Sequence, residues 1–204
     1  TALSKIYFPE IWRLSEDLDF NVDEEKDFSQ IIKMLEKEIL PFLEQKSGIQ
    51  FKLKSKFSNT QYLQMKVQYV AALQFTNFIK IDISRHQNIE APVFKKLKST
   101  YSDYPQFKVK VKTLDEIFAA KVRTLLERTK CRDYFDLWKL LDYVNAKAIR
   151  KLILLKCGKE EIDFGKLLEK TEELEQYWKR EMPRLVYPVP DLDTVLADLR
   201  KKFQ

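Results

Sequence analysis

Glycine is nearly missing from this 204-residue chain: Gly48, Gly158 and Gly165 are its only three, and they stand far apart. A P-loop or a dinucleotide fingerprint needs clustered glycines so that backbone can approach phosphate, so neither is present. Any phosphate must then be held by cations, hydroxyls or helix N-termini. Histidine is scarcer still, with His86 alone, beside Arg85 in a segment that reads as a surface loop. One histidine and two separated cysteines do not make an ordinary zinc site, and nothing resembling a nucleophile elbow accompanies His86, which excludes a Ser-His-Asp hydrolase. Cys131 and Cys157 lack C-x-x-C spacing and lie among lysines. They read as reduced, non-catalytic thiols and not as a disulfide framework. No apolar run reaches membrane-spanning length, and Thr1-Ala2-Leu3-Ser4-Lys5 has none of the regions of a secretion signal. The expectation is a cytoplasmic protein with no membrane partner.

What remains is a globular composition, 45% apolar and 33% charged, long enough for one domain or two intimately packed lobes. The reactive inventory is carboxylates with Lys and Arg, an oxygen-ligand chemistry that favours Mg²⁺. Its most informative stretch is Asp17-Leu18-Asp19. Two acids one residue apart on a strand project from the same face, roughly 6.5 to 7 Å from one another. They can converge on divalent cations about 3.5 to 4 Å apart, the spacing of two-metal phosphoryl transfer. An acid-apolar-acid triplet also arises by chance on solvated strand edges. Asp82, inside the β-forming run Phe78-Ile79-Lys80-Ile81-Asp82-Ile83, raises this one by adding a third acid.

Along the chain, residues 1 to 8 read as the end of a helix, 17 to 22 as a short strand, and 27 to 45 as an amphipathic helix capped by Asp27 or Ser29 and stopped at Ser47-Gly48. Strands are expected at about 49 to 57, 61 to 70 and 75 to 84, a loop with at most one helical turn over 86 to 106, and a strand at 107 to 112. From Thr113 the pattern becomes helical. Thr113-Leu114-Asp115-Glu116 resembles a capping box, and further helices are expected at about 146 to 157, 163 to 181 and 191 to 203. The fold class is therefore α+β: a mixed sheet with flanking helices over residues 1–112, then a mainly helical lobe over 113–204. Lys121 falls at or beside the buried face of its helix, where a snorkelling lysine is the plain alternative. Asp133 and Asp136 share a helix face and Arg132 stands four residues before Asp136, a pattern that a structural ion-pair network also explains.

The formal charge is +6, from 37 basic and 31 acidic residues, a mild attraction for polyanions. Lys52, Lys54 and Lys56 alternate, as do Lys108, Lys110 and Lys112, so each set predicts a positive stripe on one strand face. Each stripe alone is equally a solvent-facing strand guarded against edge pairing. Beside a phosphoryl-transfer site, the two together favour RNA over a small acceptor.

Several of these segments, in this order, resemble the AbiEii/AbiGii toxin family of nucleotidyltransferases, within the DNA polymerase β-type superfamily. They are Thr1-Ala2-Leu3, then Arg13-Leu14-Ser15-Glu16-Asp17-Leu18-Asp19-Phe20, Ala119-Ala120-Lys121 and Arg132-Asp133-Tyr134-Phe135-Asp136-Leu137. The family carries a Gly-Gly pair immediately before Thr-Ala-Leu, and this sequence starts after that point, so an upstream segment is expected. The resemblance implies an NTP-dependent nucleotidyltransferase in which Asp17, Asp19 and Asp82 are the catalytic and metal-holding residues for two Mg²⁺ ions. Ser15 and Lys121 would contact nucleotide phosphates, with Arg132, Asp133 and Asp136 contacting the nucleotide or ordering the floor of its cleft. It further implies an RNA acceptor, such as a tRNA 3′ end, and a toxin countered by a separately encoded antitoxin or serving phage defence. The alternative is a catalytically inactive nucleotide- or RNA-binding module of the same fold.

Overall fold

The computed structural model describes residues 2–9, 12–23, 25–71, 74–85, 90–97, 106–159 and 161–203. His86, expected on a surface loop, lies outside them. Contacts divide the chain into two compact units, one spanning Ser15–Gln87, the other joining Ala2–Leu14 to Asn88–Gln204. The expected partition at 112/113 falls inside the second unit.

The first unit is a four-stranded sheet backed by one long helical stretch. Strand β1 (Asp17–Val22) is followed by the helical segments Phe28–Met34, Leu35–Ile39 and Leu40–Ser47, the middle one π-type, and then by β2 (Gln50–Ser58), β3 (Tyr62–Val70) and β4 (Thr76–Arg85). Asp27 caps the helix by accepting from the Ser29 amide at 2.9 Å. Gly48 ends it in the left-handed conformation, φ 69°, which a residue without Cβ adopts at no steric cost. Strands β2, β3 and β4 form an antiparallel meander, and β1 pairs parallel to β4 at the edge, giving the order β1-β4-β3-β2. The period of two separates the faces. Leu63, Met65, Val67 and Ile83 are buried with Phe28, Leu35 and Leu40 of the helical stretch, while their neighbours Gln64, Lys66, Lys80 and Asp82 lie on the other face.

One expected lysine stripe is broken. The register of β2 on β3 slips between Leu53 and Ser55, so that Lys52 opposes Gln68 but Lys56 opposes Met65. An extra residue in one strand turns everything beyond it to the opposite face, so Lys52 and Lys56 do not share a face.

In the second unit, residues Leu3–Tyr7 form a helical turn. Strand β5 (Val93–Leu97) pairs antiparallel with β6 (Phe107–Val111) as a two-stranded ribbon. The expectation of a loop over 86 to 106 is therefore corrected in part. Pro92 precedes the strand instead of interrupting it, as a residue without a donated N–H allows. Helices follow at Leu114–Glu127, Cys131–Leu140, Ala146–Cys157, Phe164–Leu167, Glu172–Glu181 and Leu192–Phe203. The Thr113 hydroxyl accepts from the Glu116 amide at 3.1 Å, as the capping motif predicts. The helix expected over 163 to 181 is two helices, because Thr171 caps a new start by accepting from the Leu174 amide at 3.1 Å. Phe118, Phe135, Leu137, Leu140, Ile153 and Leu196 lie in the core of this unit. Among the described residues, no helix is long and apolar enough to cross a membrane.

Candidate functional site

Strand β1 ends up beside β4, and the backbone register decides which side chains meet. Asp17 is level with Lys80 and Asp19 with Asp82. Cross-strand partners in register share a face, so all three aspartates project from the polar side of the sheet. Asp19 is exposed, and Asp17 and Asp82 are half-buried. Two carboxylates directly opposite one another repel and weaken the sheet. The structure sets cations and hydrogen-bond donors against that repulsion. Lys80 places its ammonium 2.6 Å from Asp82 Oδ2, the Tyr62 hydroxyl donates a short hydrogen bond to Asp82 Oδ1, and Gln64 Nε2 donates to the same oxygen at 3.0 Å.

Electrostatics follow from these contacts. Partial burial on its own would raise the pKa of Asp82, but hydrogen bonds from Lys80, Tyr62 and Gln64 outweigh it and hold the carboxyl below its ordinary range. The Asp82 contact raises Lys80, and the Asp17 charge adds to the effect. Burial, then the bond to Asp82, pushes the Tyr62 phenol up. Asp82 is thus an ionised acceptor at neutral pH.

Ser15 approaches this strand only loosely, its hydroxyl 3.5 Å from the Asp17 carbonyl oxygen. Lys80, Tyr62 and Gln64 carry no spacing signal that marks them as site residues. Their signal is the polar-apolar alternation of Tyr62-Leu63-Gln64-Met65 and Lys80-Ile81-Asp82-Ile83, which becomes legible only once β3 is known to neighbour β4. A cavity of about 600 Å³ opens on the apolar side of the sheet, lined by Leu18, Ile31, Met34, Leu43, Met65 and Ile81 among others. None of the three aspartates lines it.

The carboxylates at 17, 19 and 82 offer oxygen donors alone, which fits a hard divalent cation. Among the described residues, no three or more His, Cys, Asp or Glu side chains are already drawn together as a metal cage. Asp82 meanwhile carries its lysine, tyrosine and glutamine partners.

The later motifs build a separate ionic network within the second unit. Lys121 lies 2.6 Å from Asp133 Oδ1 and 2.9 Å from Asp136 Oδ2. Arg13 makes a two-pronged contact with Asp136, Nε to Oδ1 at 2.9 Å and Nη2 to Oδ2 at 2.8 Å, and Trp12 Nε1 donates to Oδ1 at 2.9 Å. Arg128 reaches Asp133 Oδ2 through Nε at 3.2 Å and Nη2 at 3.1 Å. The Asp133 and Asp136 side chains are 0% and 1% exposed, against 21% for Lys121. Burial by itself would raise the pKa of Asp136, but Lys121 and Arg13 overturn that and bring it to about 2. Desolvation pulls Lys121 down, and Asp136 and Asp133 more than restore it, leaving it above the ordinary lysine range. Arg132 stands at the start of the same helix, half-buried. Helical spacing places Asp133 with Asp136, while Lys121 reaches them from the preceding helix. Arg13 and Trp12, far upstream, are partners that spacing does not reveal.

No curated protein matches the sequence. Among solved structures, the chain resembles MenT4, a nucleotidyltransferase toxin from Mycobacterium tuberculosis, with a TM-score of 0.70 at 17% identity over 99% of this chain and 71% of that one. At that identity the likeness speaks for the fold. The sequence itself matches the model of the nucleotidyl transferase AbiEii toxin family, type IV toxin–antitoxin system, over residues 1–199. A family match over almost the whole sequence shows the family directly: the chain belongs to the AbiEii family of nucleotidyltransferase toxins of type IV toxin–antitoxin systems.

Proposed function

We propose that this toxin transfers a nucleotide from an NTP to an RNA acceptor, tRNA-like at its 3′ end, in a Mg²⁺-dependent reaction centred on Asp17, Asp19 and Asp82. The observation that carries the reading is the level pairing of Asp19 with Asp82 on adjacent parallel strands, with Asp17 on the same face. Such a grouping of like charges weakens the sheet unless cations answer it. The oxygen-only donor set suits Mg²⁺, with two ions the number that the spacing of Asp17 and Asp19 accommodates. A bound divalent cation would neutralise charge building on the α-phosphoryl group and the departing pyrophosphate.

The chain's own residues do the rest. Asp17 and Asp19 would hold the divalent cation, which would supply positive charge to the triphosphate. Asp82, kept ionised, accepts from the attacking hydroxyl of the acceptor and orients it. Lys80, paired with Asp82, puts a positive charge beside these carboxylates. Ser15 offers a hydroxyl to a phosphate. Lys121 offers a point charge to the nucleotide, with Asp133 and Asp136 positioning it and Arg132 beside them at the helix start. The toxin acts in the cytoplasm, opposed by a separately encoded antitoxin, as a toxin–antitoxin or phage-defence component.

Purified protein incubated with each α-labelled NTP, Mg²⁺ and total cellular RNA should label an RNA band. Asp17→Asn should lower that labelling by about 100-fold or more while the melting temperature is unchanged. Retained labelling in a folded Asp17→Asn protein refutes the assignment.

A further inference from the structure

The ribbon of β5 and β6 keeps Lys108 and Lys110 of the second expected stripe on one strand face, while Lys112 falls beyond the strand's end, and it carries more than the stripe. Its two strands, VFKKL and FKVKV, contain four lysines and no acid. The register opposes Phe94 to Lys110 and Lys96 to Lys108. These four side chains therefore share one face, and all four are exposed. The other face is the anchored one. Val93, Leu97 and Val109 are half-buried and Val111 buried there, Lys95 sits over the Tyr7 ring at 5.4 Å, and the Tyr7 hydroxyl donates to the Lys112 carbonyl at 2.6 Å.

Guarding an exposed edge explains lysines but not this face. Lys96 and Lys108 are directly opposite, a like-charge pair that lowers ribbon stability, and no acid on either strand answers it. Phe94 is 64% exposed in their midst, which an edge built only to resist pairing would not retain. The ammonium of Lys110 lies 5.6 Å from the Phe94 ring centroid, so cation and aromatic form one surface. A flat aromatic among cations, with no acid on either of the two strands, matches a backbone of regular negative charge whose bases can stack.

We infer that the outer face of the β5–β6 ribbon, Phe94 with Lys96, Lys108 and Lys110, is a docking surface for a single-stranded stretch of RNA, with Phe94 stacking a base and the three lysines contacting phosphates. The identity of the polyanion as RNA rests on the proposed acceptor. The ribbon belongs to the second unit and the three aspartates to the first, and the ribbon is tested by binding without chemistry.

The experiment is equilibrium binding, by fluorescence anisotropy, of an end-labelled single-stranded RNA of about 20 nucleotides to the whole chain without NTP, across a series of salt concentrations. The triple variant Lys96→Glu/Lys108→Glu/Lys110→Glu should weaken binding by more than 10-fold and flatten the dependence of log K on log salt by about 2, the counterions released by three single-strand phosphate contacts. Phe94→Ala should weaken it by at least about 5-fold and leave that slope unchanged, as loss of one stacked base predicts. Both variants should keep the wild-type melting temperature, since all four side chains are exposed. Unchanged affinity and slope in the folded triple variant overturns the inference. So does a Phe94→Ala protein that binds like wild type, or an acidic polypeptide such as polyglutamate that displaces the RNA no worse than RNA itself. RNA binding lost with the ribbon in a protein that labels no RNA leaves the docking surface standing and the proposed acceptor failed. RNA labelling at unchanged KM in the triple variant does the reverse.

Discussion

Carboxylates are met by cations in both units, in opposite ways. On the sheet, Asp19 is exposed and Asp82 is held by Lys80, itself 42% exposed. In the helical unit, Asp133 and Asp136 are sealed at 0% and 1% exposure and their partners include Lys121, Arg13, Arg128 and Trp12. A sealed ion pair tolerates no loss of either partner, because the survivor is left charged in a poor solvent. An accessible one can exchange its lysine for another cation at small cost. The difference separates an arrangement that keeps its partners from one able to change them.

Substitutions test that division, beginning with the largest effect. Asp136→Ala strands Arg13, leaves Lys121 with Asp133 alone, and should cost about 3–5 kcal/mol, lowering the melting temperature by roughly 10 °C in calorimetry. A loss of under about 1 kcal/mol would mean the network is not sealed in solution. Asp19→Asn should do the reverse: nucleotide transfer falls about 100-fold or more, while stability holds or rises slightly as the repulsion with Asp82 is relieved. A protein that melts early instead would turn the sheet aspartates into scaffold.

Acid probes both units. The folded-state pKa of Asp136, about 2, lies below the ordinary aspartate value, so its stabilisation is present above about pH 4 and is lost as pH falls towards 2. That contribution is about 2 kcal/mol. Urea melts between pH 5 and 2 should therefore show a steep decline that Asp136→Asn, destabilised at every pH, shows less of. The smallest effect belongs to Tyr62→Phe. Removing one donor from Asp82 raises its pKa, so the acid limb of the transfer rate should move to higher pH with a loss of under 10-fold at neutrality. An unmoved limb would remove Asp82 from the proton-handling step.

Much of this was legible because the signals are local. The bounds of β1, the Asp27 and Thr113 caps and the Gly48 stop depend on residues within one turn of each other, and the sequence reads them directly. Thr171 was equally local but lay within a longer apolar period that masked it. The bulge at β2, the ribbon partner β5 and the Arg13–Asp136 contact depend on segments meeting across the fold, which periodicity within one segment does not encode. At the site, the aspartates announced themselves by spacing, whereas Lys80, Tyr62 and Gln64 became partners only through the β3–β4–β1 order.

That order has a temporal consequence. The meander β2–β3–β4 closes through short turns, but β1 joins it in parallel from the far side of a long helical segment, and distant pairings of this kind are the slow ones. Asp19 therefore gains its neighbour Asp82 only when this edge strand docks. The meeting of these two carboxylates thus depends on the pairing that spans the most sequence within this sheet.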